Sequence, residues 1–187
     1  MPRPPRLAPP GAIFHITSRG NRRQPIFFDD DDRRWFIRLL ERAVGKFRWN
    51  CHAYCLMDNH IHLLIETPDE NLSAGMQWLL GRYAQDFNWR HGFDGHLFQG
   101  RFKSQRVESN WHLIELGRYI VLNPVRARMR VSAADWPWSS YRAAVGAICP
   151  PAFLTLAWLQ SQFGATPTAA RAAYERFVSE APIRAGP

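Results

Sequence analysis

Met57-Asp58-Asn59-His60-Ile61-His62-Leu63-Leu64-Ile65-Glu66 carries two imidazoles, one residue apart, at the head of an alternating run. Successive side chains of a strand point to opposite faces, so His60 and His62 project together while Ile61, Leu63 and Ile65 enter a core. Two neutral ring nitrogens on one face can ligate a divalent cation and leave positions open for a third ligand, water or substrate. The preceding stretch from Phe47 to Met57 reads as a second strand, joined to this one by the short Asp58-Asn59 turn.

Upstream, Gly11 to Ser18 (Gly-Ala-Ile-Phe-His-Ile-Thr-Ser) is β-branched and aromatic, and it runs into Arg19-Gly20-Asn21-Arg22-Arg23-Gln24. This is a first strand ending in a basic loop, with Gly20 permitting a tight turn. Asp29 to Asp32 precede Trp35, Phe36, Leu39, Leu40 and Ala43 at helical spacing, so the acidic cluster caps a first helix that Gly45 closes. After Thr67-Pro68-Asp69-Glu70-Asn71, a second helix puts Leu72, Met76, Leu79, Leu80, Tyr83 and Phe87 on one face. Gly100-Arg101-Phe102-Lys103-Ser104-Gln105-Arg106-Val107 then makes a fourth strand with a basic flank.

The order strand, helix, strand, strand, helix, strand predicts an α+β fold, a ferredoxin-like βαββαβ antiparallel sheet with helices on one face. The helix-free face becomes the natural nucleic-acid surface. A third helix is expected from about Trp111 to Leu122, with Ser109 or Asn110 as its N-cap. A C-terminal helical extension follows, with helices over Leu154 to Phe163 and Thr168 to Ser179. The expected organisation is a flexible N-terminus over residues 1–10, a main domain over 11–145, and an extension over 146–187 that becomes disordered from Ala181.

With 187 residues the chain can bury one core and carry an appendage. Its net charge of +8, with Arg far ahead of Lys, calls for a polyanionic partner, and nucleic acid leads. An apolar run long enough to span a bilayer is lacking, and so is the apolar middle region of a secretory signal, so a cytoplasmic, nucleoid-associated protein without membrane contact is expected. Three cysteines without framework spacing argue against disulfides. Cys51 and Cys55 can be drawn with His60 and His62 as structural zinc ligands, or read more simply as small residues buried under a sheet beside Ala53 and Met57.

Tyr119 and Asn123 stand one helical turn apart, and Pro124 puts Asn123 at the frayed helix end, where its amide could turn toward a metal. The same pair also fits a plain helix stop beside a packing tyrosine. Arg101, Lys103 and Arg106 suit a sugar-phosphate chain, or protect a sheet edge from association. Trp136, Trp138 and Tyr141 offer stacking surfaces for unpaired bases, but Trp136-Pro137-Trp138-Ser139-Ser140-Tyr141 fits a packed linker better.

Taken together, His60-Ile61-His62, Gly100-Arg101-Phe102-Lys103-Ser104 and Arg118-Tyr119-Ile120-Val121-Leu122-Asn123-Pro124-Val125-Arg126-Ala127 resemble the HUH single-tyrosine transposases, and within them the REP-associated tyrosine transposases of bacteria. The resemblance covers Gly11 to about Tyr141. It implies cleavage and rejoining of single-stranded DNA on a ferredoxin-like fold. Tyr119 corresponds to the nucleophile, His60 and His62 to metal ligands, and Asn123 to the polar residue completing the metal shell, with Glu115 as a substitute. Mg²⁺ or Mn²⁺ is the implied metal.

By the same resemblance the product is a 5′-phosphotyrosine with a free 3′-hydroxyl, made at DNA beside a hairpin. Arg19, Asn21, Arg22 and Arg23 correspond to the reader of a short unpaired stretch, while Arg126 and Arg128 grip backbone. A monomer is favoured slightly over a homodimer. Two rivals share the scaffold: a domesticated, non-catalytic binder of repeat DNA, and a ferredoxin-like RNA binder, which lacks the expected aromatic-rich strands.

Overall fold

The structure, a computed structural model, describes residues 9–181. Four strands, β1 (Ala12–Arg19), β2 (Asn50–Leu56), β3 (His60–Thr67) and β4 (Lys103–Arg106), form one sheet in the order β2-β3-β1-β4, every neighbouring pair antiparallel. Helix α1 (Asp30–Phe47) connects β1 to β2, and α2 (Leu72–His91) connects β3 to β4. This is the ferredoxin-like arrangement the alternation predicts. On the first face Phe14, Ile16, Ile61, Leu63 and Ile65 meet Phe36, Leu39, Leu40, Met76, Leu79 and Tyr83, all buried. The expectations for residues 1–8 and 182–187 lie outside the described residues.

The Asp29 side chain accepts from the Asp32 backbone N–H at 2.9 Å and N-caps α1, as the acidic cluster suggests. Gly45 does not close the helix. The chain continues to Phe47, whose ring stacks on Trp49 at 5.5 Å, and reverses at Arg48 in the left-handed region. Packing that half-buried ring against Trp49 and Trp78 offsets the ~1 kcal/mol that an internal glycine costs. Helix α2 likewise runs past Phe87 to His91, where Gly92 at φ +67° caps it. Its basic end meets the acidic start of α1: Arg90 pairs with Asp29 at 2.7 Å and holds that carboxyl down at about 2.

The second face is covered by later elements. Helix α3 (Asn110–Val121), the short helices α4 (Asn123–Arg126) and α5 (Tyr141–Ala144), then α6 (Ala157–Phe163) and α7 (Pro167–Ser179) contribute to a second core with Ala53, Cys55 and Leu64 of the sheet. The helix-free face expected from the βαββαβ order is therefore roofed by α3 over β2 and β3. Its β1 side is less covered: Ile13, His15 and Thr17 are half-buried and Arg19 is exposed. The C-terminal extension shares this core, with Trp158, Leu159 and Tyr174 buried in it.

Strand β2 breaks register between Cys51 and Ala53. The bulge reverses which residues face which side, so Cys51 enters the first core and Cys55 the second. The two thiols are thus on opposite faces of the sheet and cannot share one ion with the histidine pair, which rules out the drawn zinc site; burial pushes the Cys51 thiol up to about 12. The outer edge of β2 is closed by the chain itself: the Leu56 N–H donates to the Trp138 carbonyl at 2.8 Å, and the Trp136 indole to the Leu56 carbonyl at 3.0 Å. With Trp136 and Tyr141 buried, this segment is a packed linker, and neither ring is free for bases.

Candidate active site

Strand pairing sets the first part of the site. Arg19 lies opposite His60, Thr17 opposite His62 and His15 opposite Leu64, so the two imidazoles of β3 share a face with alternate residues of β1. Ser109 N-caps α3 through the His112 N–H at 3.1 Å, and the helix runs over this face to deliver Tyr119. The Tyr119 ring centroid stands 5.8 Å from that of His62 and 6.0 Å from that of His15, both edge-on. Of the five tyrosines, Tyr54, Tyr83, Tyr141 and Tyr174 are buried, and Tyr119 is 37% exposed.

The imidazoles are held from behind. Asn59 donates its amide N–H to the Arg23 carbonyl at 3.0 Å, an oxygen that can only accept, so its own Oδ1 faces Nδ1 of His60 at 2.7 Å. That contact requires a proton on Nδ1 of His60 and leaves Nε2 with its lone pair. His62 meets His15 between Nδ1 and Nε2 at 2.9 Å, with the rings stacked at 5.2 Å. Nε2 of His62 is buried without a protein partner. Burial, then neighbouring positive charge, lowers His15 and His60 to about 4 and His62 well below the usual imidazole value. All three are neutral at pH 7, the form that binds metals.

Around this cluster the predicted partners divide. Arg126 lies over the Tyr119 ring, its guanidinium carbon 5.0 Å from the centroid. Asn123 donates its amide to the carbonyls of Tyr119 at 2.8 Å and Ile120 at 3.3 Å, fixing the turn that carries the tyrosine, and Oδ1 is its remaining polar atom. Glu115 pairs with Arg118 at 2.6 Å, and Arg118 sits over the Phe177 ring, so this carboxylate is engaged on the α7 side. Among the described residues no three His, Cys, Asp or Glu side chains form a metal-holding group. A cation here would need the two imidazoles plus amide, water or phosphate oxygens.

The basic residues surround the cluster unevenly. Asn21, Arg22 and Arg23 form an exposed 3-10 turn, with Arg22 at φ 52° and Arg23 at φ 60°. A Cβ at Gly20 would stand 2.1 Å from the Gln24 carbonyl oxygen, so this turn requires glycine. Arg101 and Asn21 line a cleft of about 860 Å³ between α2 and the loop before β4. Lys103 lies opposite Thr17 on the histidine face, whereas Arg106 lies opposite Phe14 and projects to the other side of the sheet. Arg128 is exposed beyond α4.

His15 and Asn59 escape the sequence reading. A polar ring between Ile13 and Thr17 on an alternating strand is a signal, but its meaning depends on the β1–β3 register. Among the described residues no helix is long and apolar enough to cross a membrane.

Comparison with known proteins places these features in a family. The chain is 26% identical over 140 residues to a Haemophilus influenzae protein described as a REP-associated tyrosine transposase, spanning 65% of this chain and 80% of that one. A solved REP-associated tyrosine transposase bound to a REP hairpin shares the fold at TM-score 0.67 and 18% identity, over 83% of this chain and 92% of the other. The model of the IS200-like transposases matches residues 10–123, from the first strand through the histidine pair to Tyr119 and Asn123. The match takes in more than half of the chain together with its histidine and tyrosine motifs, and the chain accordingly belongs to the IS200-like transposase family of DNA-processing enzymes.

Proposed function

We propose that this chain is a metal-dependent single-stranded DNA endonuclease and strand transferase that attacks with Tyr119 and acts beside DNA hairpins. The observation that carries the reading is the position of Tyr119: the exposed tyrosine of the five, edge-on to His62 and under the Arg126 guanidinium. The hairpin bound by the structural relative supports the substrate class.

A tyrosine hydroxyl in water ionises only near pH 10, so attack at neutral pH needs positive charge at the oxygen and at the phosphate. Arg126 supplies one such charge to Tyr119 and to a phosphate beside it. Nε2 of His60 and the buried, unpartnered Nε2 of His62 would hold a divalent cation, with Oδ1 of Asn123 as a further donor. When bound, Mg²⁺ or Mn²⁺ supplies polarisation of the phosphate oxygens, and two nitrogen donors favour Mn²⁺ over the harder Mg²⁺.

Tyr119 Oη loses its proton and bonds to phosphorus while the bond to the departing 3′ oxygen breaks and that oxygen takes up a proton. The product is a 5′-phosphotyrosine whose bond energy is kept for rejoining to another 3′-hydroxyl. Arg19, Asn21, Arg22 and Arg23 contact the unpaired stretch beside the hairpin, Arg101 and Lys103 extend that path, and Arg126 and Arg128 hold backbone. Arg106 takes no part in the histidine face.

A labelled hairpin with an unpaired flank, incubated with Mn²⁺, should be cleaved in that flank, and chelation or His60→Ala should abolish cleavage while hairpin binding persists. Binding without cleavage in any divalent metal would make the protein a repeat-DNA binder. Preference for a matched RNA hairpin would exclude a DNA substrate.

A further inference from the structure

We infer that His15 is a positioning residue for the metal site, setting which nitrogen of His62 is free to bind the cation. The inference rests on the metal reading above. His15 and His62 share one proton across the 2.9 Å contact between Nε2 of the first ring and Nδ1 of the second. Two arrangements are open. If the proton belongs to His15, Nδ1 of His62 accepts, so Nε2 of His62 carries a hydrogen, buried and without a partner. A buried unsatisfied donor costs ~1–3 kcal/mol, and a protonated nitrogen cannot ligate.

If the proton belongs to His62, it donates from Nδ1 to His15, and Nε2 presents a lone pair toward the face where His60 presents its own. The second arrangement exchanges the orphaned donor for a buried lone pair that a bound cation satisfies, and makes a pair of ligands. The stacking at 5.2 Å and 13° between planes also fixes the plane of the His62 ring, so His15 sets its direction as well as its tautomer. Asn59 performs the corresponding task for His60, through Oδ1 at 2.7 Å. His15 comes from β1, so His62 is oriented from the strand that leads into the basic loop, and His60 from the turn before β3.

The test compares wild type, His15→Leu and His15→Gln in two ways. Long-range ¹H–¹⁵N spectra of the metal-free protein read the tautomer of His62 directly, and Mn²⁺ titration followed by EPR reads affinity. Wild type should show His62 protonated at Nδ1. His15→Leu should lose that preference and bind Mn²⁺ about 10- to 100-fold more weakly. His15→Gln, whose amide oxygen can still accept, should recover affinity to within about threefold of wild type. Hairpin binding in EDTA should be unchanged in both variants, which separates misfolding from misorientation.

A wild-type His62 protonated at Nε2, or a folded His15→Leu protein with wild-type Mn²⁺ affinity, would overturn this inference alone. Equal Mn²⁺ affinity in wild type and His60→Ala would remove the metal reading, and this inference with it.

Discussion

The tyrosine helix is held in place by the C-terminal extension, and replacing Trp158 and Gly117 together measures that hold. Trp158 on α6 is 7% exposed, stands edge-on to Tyr174 at 5.8 Å, and donates its indole N–H to the His52 carbonyl at 3.3 Å. Its ring edge lies against α3, where a Cβ on Gly117 would be 2.9 Å from Cη2 and 3.4 Å from Cζ2. Trp158→Ala should cost about 3–5 kcal/mol and lower Tm by roughly 10 °C in a chain of this size. Gly117→Ala alone gains about 1 kcal/mol of helix propensity but forces an overlap worth about 1–3 kcal/mol, for a small net loss.

In the Trp158→Ala background the overlap is gone and the gain of about 1 kcal/mol should remain. The two changes should therefore couple by about 2 kcal/mol, read from urea unfolding of the four proteins. Because a misplacement of about 1 Å can cost ~100-fold in rate, covalent adduct formation should fall much further than hairpin affinity in Trp158→Ala. A Gly117→Ala effect that is the same in both backgrounds would refute the contact, and an unchanged adduct rate in Trp158→Ala would refute the buttressing role.

Three further outcomes follow from the site. Gly20→Ala sets a methyl against the Gln24 carbonyl and should deform the Asn21–Arg23 turn, weakening hairpin binding several-fold and lowering its salt dependence while adduct chemistry on bound DNA is spared; wild-type affinity would count against the turn as a reader. Arg126→Ala should slow adduct formation by about 10- to 100-fold with a smaller change in binding, and Arg126→Lys should restore part of the rate; equal losses in both variables would make Arg126 a backbone grip alone. His15 and His60 titrate near 4 when folded against 6.5 otherwise, so the unfolded chain binds more protons between those values. Their contribution is full above pH 6.5 and is lost as pH falls toward 4; a metal-free urea midpoint that stays flat from pH 7 to 5 would contradict the burial.

Much of this architecture follows from patterns that are local in the chain. Period-two alternation around His60 and His62, helical spacing from Leu72 to Phe87 and the acidic cap at Asp29 each depend on neighbours a few residues away. What escaped reading depends on distant pairing. His15 joins the site because β1 and β3 run antiparallel in one particular register, and nothing in Gly11 to Ser18 specifies that register. The bulge between Cys51 and Ala53 separated two thiols that strict alternation put on one face. The roof over the second face arises because α3 and the extension bury Leu113, Ile120, Trp158 and Tyr174 together, a packing that element order does not encode. The helix that carries Tyr119, by contrast, is legible in the chain, because its Ser109 cap and its end before Pro124 are both local signals.

Every other role proposed at this site depends on Tyr119 forming the bond to DNA. Peptide mass mapping after reaction with a hairpin substrate and Mn²⁺ tests it most directly. The nucleotide mass should appear on the peptide containing Tyr119, and Tyr119→Phe should yield no adduct. A nucleotide on any of the four buried tyrosines, or an adduct that survives Tyr119→Phe, would contradict it.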